Sequence, residues 1–324
     1  AHCPNVRGCF IGFIKLADER SCDESARGMT IQLQSAGSTA SPPAELQARK
    51  PTRIRLYPSM TGADLACAVA GTNIADLRHN LQVFMSTGGA VPVHKSRVAA
   101  RRLRVFLKGI KPWLRPETRK WAETNLKLAM AILHPLRQHD VVVEWQDVAG
   151  ELERESRQDR TAMVRGAQAQ VSDAGLIGFV DEFERLFRTE DWRQRDTQVL
   201  DQPCSCIVPR IIDQCVQHLY RAGSLRQVFA TSGDYHTFRK DLKRLRYWLE
   251  FTRSLFAKKD IAPWRKTCKL LQSSLGTIND LDEARMTGHD RLVGAGNWGG
   301  RRSAAVDLAE SLSDTIALLP RFWR

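Results

Sequence analysis

The chain has 324 residues, of which 43% are hydrophobic and 26% are charged, so it is long enough to bury one large core or two small ones. Its formal net charge of +13 indicates an anionic partner such as nucleic acid, a phosphate polymer or an acidic membrane surface. No apolar stretch approaches the roughly 18 residues that cross a bilayer, and Phe10–Ile14 is too short for the apolar region of a signal peptide. Membrane insertion and secretion are therefore not expected.

Cysteine usage points to a reduced, cytoplasmic protein without a metal or another cofactor. The eight cysteines are scattered, at positions 3, 9, 22, 67, 204, 206, 215 and 268, and they form no pair of CxxC segments for a zinc site. Cys204-Ser205-Cys206 is a weak metal or redox motif, and small buried apolar side chains are the better interpretation of it.

Residues 1–51 differ in composition from the rest of the chain. They contain three of the eight cysteines, followed by a polar stretch from Gln32 to Pro43 that has no clear apolar period. Because such a segment cannot bury a core, we predict a mobile, disordered N-terminal extension. The predicted folded domain covers residues 52–324.

From Thr61 onward the apolar residues recur at helical spacing. The predicted helices cover about 61–86, 92–110, 116–136, 138–157, 160–190, 208–222, 234–257, 261–275, 279–294 and 299–318. Residues such as Gly88, Pro112 and Gly276 separate them. Strand-like alternation is nearly confined to Thr52–Tyr57, so the sequence predicts an all-α fold.

The helical part of the chain also repeats itself, with His94–Asp140 aligning on His236–Asp282 without a gap. Ten of the 47 aligned pairs are identical, several times what unrelated sequences give. The identical pairs are His94/His236, Arg97/Arg239, Arg102/Arg244, Leu103/Leu245, Arg104/Arg246, Leu107/Leu249, Lys127/Lys269, Leu128/Leu270, Leu133/Leu275 and Asp140/Asp282. We interpret the repeat as two related helical halves, at about 52–200 and 201–324.

Positive charge is concentrated in two segments that the repeat makes equivalent. Residues 94–120 hold ten Lys and Arg and one acid, and residues 236–269 hold eleven Lys and Arg and three acids. Their net charges are +9 and +8, so the rest of the chain sums to −4. The charge therefore belongs to these two segments rather than to the protein at large.

Helical spacing places these charges along one face of each helix. The first stripe consists of His94, Arg97, Arg101, Arg104 and Lys108, which fall within about 80° of arc. The second stripe consists of His236, Arg239, Lys243 and Arg246, and both are flanked by Arg102, Lys240 and Arg244. Glu250 replaces Lys108 in the second segment and is expected to pair with a stripe arginine. The predicted core-facing residues are Leu103, Phe106, Leu107, Ile110, Phe238, Leu245, Trp248 and Leu249.

The stripes favour a linear polyanion as the ligand. Like charges at i,i+4 destabilise a helix by a few tenths of a kcal/mol per pair, so repeating them suggests that an anion normally neutralises them. Neighbouring stripe residues lie about 5–6 Å apart, comparable to the phosphate spacing of such a polymer, and arginine grips phosphate oxygens in a bidentate manner. A solvated basic face is the ordinary alternative, which the repetition in register disfavours. His94 and His236 either contact phosphate as cations or have a structural role at the helix start.

Two segments resemble a known family. Val93–Arg104 (VHKSRVAARRLR) and His236–Glu250 (HTFRKDLKRLRYWLE) are similar to the signature segments of the CHAD family, the conserved histidine α-helical domain. Pro58–Val69 resembles the opening helix of that family, and Lys269–Asp280 resembles the helix after the second signature. The resemblance covers about residues 52–324, and finding both motifs in order is more specific than finding either one.

The resemblance implies two pseudo-symmetric four-helix bundles around a basic pore or groove that binds inorganic polyphosphate. Three biological roles stay open at this point: association with polyphosphate granules, phosphate sensing and recruitment of a partner. The family's Leu-Gly-x-x-Arg-Asp turn is replaced here by Leu133–Gln138 (LHPLRQ), so the turn in the first half is expected to differ. The stripes and the resemblance together predict polyphosphate-binding roles for His94, Arg97, Arg101, Arg102, Arg104, Lys108, Lys127, His236, Arg239, Lys240, Lys243, Arg244, Arg246 and Lys269.

Two other functions compete with this hypothesis. Phosphoryl chemistry would need carboxylates for Mg²⁺ beside the basic helices, and the nearest ones, Asp280 and Asp282, are better interpreted as helix caps. No catalytic motif is present, so we expect a non-enzymatic protein. Nucleic acid could use the same stripes, but the aromatic residues lie on the apolar faces, with Tyr247 as the exception. The family resemblance favours polyphosphate.

Overall fold

Helices dominate the computed structural model of the chain, which describes residues 47–149, 154–195, 197–231, 235–286 and 298–324. The predicted mobile extension lies outside these residues, apart from its last five. The described residues form no strand, which confirms the all-α prediction. The helices are α1 (Gly62–Thr87), α2 (Ala90–Gly109), α3 (Pro116–Ile132), α4 (His134–Ala149), α5 (Arg154–Asp173), α6 (Leu176–Arg188), α7 (Cys204–Tyr220), α8 (Leu225–Thr231), α9 (Tyr235–Phe251), α10 (Lys258–Met286) and α11 (Trp298–Leu318).

The ends of α1 illustrate how local sequence sets a helix. Thr61 and Asp64 form a capping box: the Thr61 hydroxyl accepts from the Asp64 amide at 3.1 Å, and the Asp64 carboxylate accepts from the Thr61 amide at 2.9 Å. The helix ends at Gly88, which has a φ of 61° and whose amide donates to the Phe84 carbonyl at 2.8 Å. A side chain at Gly88 would also collide with Val164 of α5. Turn geometry and packing therefore both require glycine there.

The apolar faces of α2 and α9 meet at the centre of the core. α2 also packs against α1 and α3, and α9 packs against α7 and α10. All of the predicted core-facing residues of these two helices are buried. The rings of Phe106 and Trp248, which are repeat equivalents, lie 6.1 Å apart, and Gly109 leaves room for the indole. Burying each such side chain stabilises the fold by roughly 1.5–3 kcal/mol, so this contact holds the two charged helices in a fixed relation.

Two backbone hydrogen bonds join the halves. The donor of one is the repeat equivalent of the donor of the other, and the acceptors correspond in the same way, as a twofold relation requires. The amide of Gly62 donates to the carbonyl of Gln202 at 3.0 Å. The amide of Cys204 donates to the carbonyl of Met60 at 2.7 Å. In the repeat alignment Gly62 corresponds to Cys204, and Met60 corresponds to Gln202. The starts of α1 and α7 are therefore joined by a pseudo-symmetric pair of hydrogen bonds, which supports an internal duplication.

A side-chain ion pair is also repeated in the two halves. Arg160 Nε contacts Asp140 Oδ1 at 2.6 Å in the first half, and Arg302 Nε contacts Asp282 Oδ1 at 2.7 Å in the second. Both members of one pair are the repeat equivalents of the members of the other. The repeat thus extends to α5 and α11, beyond the segment that sequence identity aligns.

The prediction of separate helices over about 261–275 and 279–294 was wrong in its boundary, because α10 continues through Gly276 to Met286. Leu275, Ile278 and Leu281 are buried, and their packing outweighs the roughly 1 kcal/mol by which glycine disfavours a helix. Asp280 and Asp282 consequently lie inside the helix. The interpretation of them as helix caps was wrong as well.

The helix boundaries of the first half differ from those of the second. The helix predicted over about 116–136 ends at Ile132, and α4 begins at His134. Pro135 lacks an amide hydrogen and its ring would crowd the carbonyl four residues earlier, so the helix breaks where α10 runs on. The helix predicted over about 160–190 is also interrupted, at Gly175, whose φ is 59°.

The alternating segment Thr52–Tyr57 forms an extended stretch without a partner strand. Ile54 and Leu56 are buried, whereas Arg53 and Arg55 are exposed. The Leu56 backbone is satisfied by a side chain: its amide donates to Ser254 Oγ at 2.8 Å, and its carbonyl accepts from the same hydroxyl at 3.1 Å. The alternation therefore corresponds to alternating burial along this segment, which forms no strand.

Candidate functional site

The stripes of α2 and α9 come together because the two helices pack against each other. Arg101 of the first stripe and Arg239 of the second are close enough to interact electrostatically. Burial lowers the pKa of Arg239, the nearby Arg101 lowers it further, and Asp280 and Glu283 oppose this shift. The fold thus places like charges from the two halves in one partly desolvated region.

Arg97 is the most strongly perturbed cation of this region. Its Nη1 donates to the Met130 carbonyl near the end of α3 at 2.6 Å. Burial lowers its pKa to about 10, and Arg101 and Arg137 contribute further lowering by repulsion. Within the described residues no carboxylate forms an ion pair with Arg97. The side chain is therefore a protonated, partly desolvated cation at neutral pH, and the described part of the chain supplies no counter-ion for it.

A second group of cations lies at the C-terminal end of α2. Lys108 is exposed, and desolvation by its surroundings lowers its pKa, followed by repulsion from Arg244 and Arg104. Glu123 and Asp241 act in the opposite direction. The flanking residue Arg244 is thus brought to the end of the first stripe, as the predicted site requires.

Arg102 and Arg246 are in a different situation, because both are tied to Glu250. Arg102 Nη1 contacts Glu250 Oε2 at 2.8 Å, and Arg246 Nη1 contacts Glu250 Oε1 at 2.8 Å. Arg102 is only 5% exposed, and its Nε also donates to Asn73 at 2.6 Å. The expected pairing of Glu250 with a stripe arginine is confirmed. The charges of these two arginines are partly neutralised before any ligand binds.

The remaining predicted residues surround these groups at various depths. Lys127, Lys240 and Lys269 are exposed, and Lys243 lies near Asp280. His94 is partly buried, whereas His236 is exposed and its ring stacks on Tyr235 at 4.7 Å. Their roles in binding phosphate stay predictions.

Sequence reasoning missed one cation near Arg97 and three near Arg102. Arg137 lies in the segment that replaces the family's turn, where it was noticed only as a retained residue. Arg53, Arg253 and Arg265 line a cavity together with Arg102 and Arg246. Arg253 had a signal, because it is the repeat equivalent of Lys111. Arg53 and Arg265 are brought there by tertiary packing alone.

The described residues offer little for metal or membrane chemistry. No group of three or more His, Cys, Asp or Glu side chains among them could hold a metal ion. Cys204 is buried, and Cys206 is exposed on the first turn of α7. No helix in the described part of the chain is long and apolar enough to cross a membrane.

Taken together, the geometry defines an all-helical domain with repeat-related halves and a cationic face where α2 meets α9. The family model of the CHAD domain matches residues 68–288, and the chain belongs to this family. Its structure is similar to the crystal structure of the CHAD domain from the plant Ricinus communis, with a TM-score of 0.57 and 20% sequence identity over 86% of this chain and 94% of that chain. At that identity the likeness shows a shared fold. No curated protein matches the chain.

Proposed function

We propose that this CHAD domain binds inorganic polyphosphate on the cationic face formed by the first stripe and by Arg137, Arg239 and Arg244. The observation that carries the proposal is the environment of Arg97. Its charge is desolvated and lies beside two other arginines, without a carboxylate partner in the described residues. Holding like charges in this way is unfavourable in the free protein, and a bound anion would relieve it.

The extent of the face favours a polymer over a single phosphate ion. Lys108 follows Arg97 by eleven positions on α2, which corresponds to about 16 Å along the helix axis. Cations from α9 and α4 adjoin this row near both of its ends. A linear chain of phosphates would contact successive cations along the row. An isolated orthophosphate would contact only one group of them.

The aromatic residues favour polyphosphate over nucleic acid. Tyr247, the aromatic residue that sequence analysis placed near a stripe, is 1% exposed. The guanidinium groups of Arg102 and Arg246 lie over its ring, at 5.6 Å and 4.9 Å from the centroid. A base therefore cannot stack on it, although base stacking is the usual source of affinity for single strands.

The proposal also treats the domain as a binding module rather than an enzyme, located in the cytoplasm and associated with polyphosphate granules. The two carboxylates that sequence analysis considered for Mg²⁺ are already engaged. Asp282 accepts from Arg302 and from the Tyr235 hydroxyl, and Asp280 lies beside Arg239. This arrangement supports a neutralised structural role for both rather than the binding of Mg²⁺.

A direct titration tests the proposal. Long-chain polyphosphate and single-stranded nucleic acid are titrated into the protein by calorimetry, at matched phosphate and salt concentrations. We expect polyphosphate to bind at least tenfold more tightly per phosphate, because its charges are closer together and it needs no stacking platform. Equal or tighter binding of the nucleic acid would reject the proposal.

A further inference from the structure

The extended segment before α1 contacts the rest of the domain along one of its edges. Its side chains are alternately exposed and buried over residues 53–57, which is the two-residue period of extended backbone. The Thr52 amide donates to Asp76 Oδ2 at 2.8 Å. The Leu56 amide donates to the Ser254 hydroxyl at 2.8 Å, and the Leu56 carbonyl accepts from that hydroxyl at 3.1 Å. The amides at positions 52 and 56 are therefore directed towards the domain.

The opposite edge of the segment is unpaired. In extended backbone the amide and carbonyl of one residue point to one edge, and those of the next residue point to the other edge. Arg53 and Arg55 thus direct their backbone groups away from the contacts of their neighbours. In the described part of the chain, none of these four groups makes a hydrogen bond. The edge ends at Tyr57, whose carbonyl accepts from the Met60 amide at 3.0 Å.

The side chains along this edge carry positive charge. Residues 47–60 contain four Lys and Arg and no acid. Arg53 and Arg55 are exposed, and neither forms an ion pair with a carboxylate among the described residues. Arg53 also lies near Arg253, which adds to the local positive charge. Tyr57 follows on the same face and is 59% exposed, so the edge presents two cations and an aromatic ring at alternate positions.

An unpaired edge of this kind can bind a peptide by strand addition, in which backbone hydrogen bonds provide affinity and alternate side chains provide specificity. A second copy of the same segment is disfavoured, because like charges opposite each other destabilise a strand pair. We propose that the edge formed by Arg53 and Arg55 binds an extended acidic peptide of a partner protein. The peptide lies antiparallel, the commoner arrangement, with a carboxylate opposite each arginine and a β-branched or aromatic residue opposite Tyr57.

This peptide site is separate from the cationic face and does not rest on polyphosphate binding. The site belongs to the segment before α1, whereas the face is built from α2, α4 and α9. A domain that binds polyphosphate on one surface and an acidic peptide on another would bring a partner protein to the polymer. The two kinds of binding can therefore be tested independently of each other.

The test uses the heptapeptide Thr-Val-Thr-Glu-Thr-Glu-Thr with blocked ends, whose binding to the full chain is followed by fluorescence anisotropy. Its Val and its two Glu residues would lie opposite Tyr57, Arg55 and Arg53 respectively. We expect saturable binding that weakens at least about threefold in the double variant Arg53→Gln, Arg55→Gln, because two ion pairs are lost. Replacing both Glu residues by Lys should abolish binding. Absence of saturable binding, or equal binding of the Lys peptide, would overturn the proposal.

N-methylation of the peptide distinguishes strand addition from simple charge attraction. In the proposed pairing the two Glu amides point towards the edge, and the amides of the third and fifth residues point away from it. Methylating both Glu amides should therefore abolish binding, because it removes two donors. Methylating the third and fifth amides is the matched control and should leave binding largely intact. Equal effects of the two modifications would reject strand addition.

A pair of variants at Arg55 makes the same distinction from the side of the protein. Arg55→Gln and Arg55→Pro remove the same charge, but only proline also removes the amide hydrogen. Both should fold, because that amide has no partner in the described residues and extended backbone at Ile54 suits a following proline. Arg55→Pro should bind the peptide about threefold to tenfold more weakly than Arg55→Gln. Equal affinities would show that the amide does not meet the peptide and would count against strand addition.

Two control variants locate the site on the molecule. Arg188→Gln, Arg195→Gln removes the same charge at exposed positions on and after α6, and Arg97→Gln, Arg104→Gln removes it from the cationic face. Both should keep the affinity for the peptide within about twofold of the wild type. If the first control loses as much as the double variant at the edge, binding is diffuse electrostatics. An equal loss in the second control would place the peptide on the cationic face, and either result would overturn the assignment.

Discussion

Two repeat-equivalent groups of cations have opposite characters in this protein. The group on the second-half side contains Arg102, Arg246 and Glu250. The equivalent group on the first-half side contains Arg244, Arg104 and Lys108. The former is a carboxylate held between two arginines beside a cavity. The latter has three positive charges, with Asp241 3.8 Å from Arg244 and Glu123 near Lys108, and it ends at an exposed lysine.

The difference arises from an exchange of charges at two positions. Glu250 stands where the first half has Lys108, and Arg265 stands where the first half has Glu123. The same helical framework thus carries an open cationic face on one side and a cavity with anchored arginines on the other. The repeat gives both sides the same helical framework, and a few charged residues distinguish their surfaces. The predictions below test whether the two groups contribute differently to the stability of the fold and to the binding of polyphosphate.

The largest expected effect is on stability, from removing the carboxylate of the second group. Glu250→Ala leaves the buried guanidinium of Arg102 without its ion-pair partner, so the free energy of unfolding should fall by about 3 kcal/mol. Lys108→Ala removes an exposed charge that lies near two arginines and two carboxylates, and it should change stability by less than about 1 kcal/mol. Urea unfolding of both variants measures the contrast. Similar values for the two would remove the distinction between the groups.

The next effect concerns binding on the open face. Arg97→Glu, Arg104→Glu should weaken the binding of long polyphosphate by about 100-fold or more at moderate salt, because it places carboxylates against the polymer. The control Arg188→Glu, Arg195→Glu changes the net charge equally at exposed positions on and after α6. Its affinity should stay within about threefold of the wild type. If both variants lose affinity equally, binding is diffuse electrostatics and the face has no special role.

A third comparison tests the repeated ion pair. Asp140→Asn should cost about 2 kcal/mol of unfolding free energy, because the Asp140 side chain is 5% exposed and its pair with Arg160 is largely desolvated. Asp282→Asn should cost about 1 kcal/mol, because the side chains of Asp282 and Arg302 are each close to one-third exposed. Thermal or chemical denaturation gives both values. A larger loss for Asp282→Asn would reverse the expected order and show that burial does not decide these energies.

The smallest expected effect concerns the two histidines that begin the stripes. Imidazole groups generally gain a proton between about pH 8 and pH 6, so polyphosphate affinity should rise by less than about fivefold over this range. His236 is exposed and His94 is partly buried, so His236→Gln should flatten the pH profile more than His94→Gln. Titrations at several pH values measure this. A flat profile for the wild-type protein would return both histidines to a structural role.

Much of the fold could be predicted from sequence because it depends on local periodicity. The apolar spacing of α2 and α9 identified core residues such as Phe106 and Trp248, all of which are buried. The errors occurred where a helix-breaking residue was judged without the packing of its neighbours. Gly276 was taken as a helix end, but buried neighbours carry α10 across it, whereas Pro135 divides the equivalent helix of the first half.

The sequence by itself determined the all-α class, the internal repeat and the positions of the two charged faces, because each of these follows from spacing along the chain. Only the tertiary structure decided which cations meet. Glu250 reaches Arg102 from 148 residues away, and Arg53 approaches Arg253 and Arg265 across the domain. Such contacts depend on how α2, α9 and α10 pack together. For that physical reason, periodicity could locate the stripes but could not reveal a cavity lined with arginines beside them.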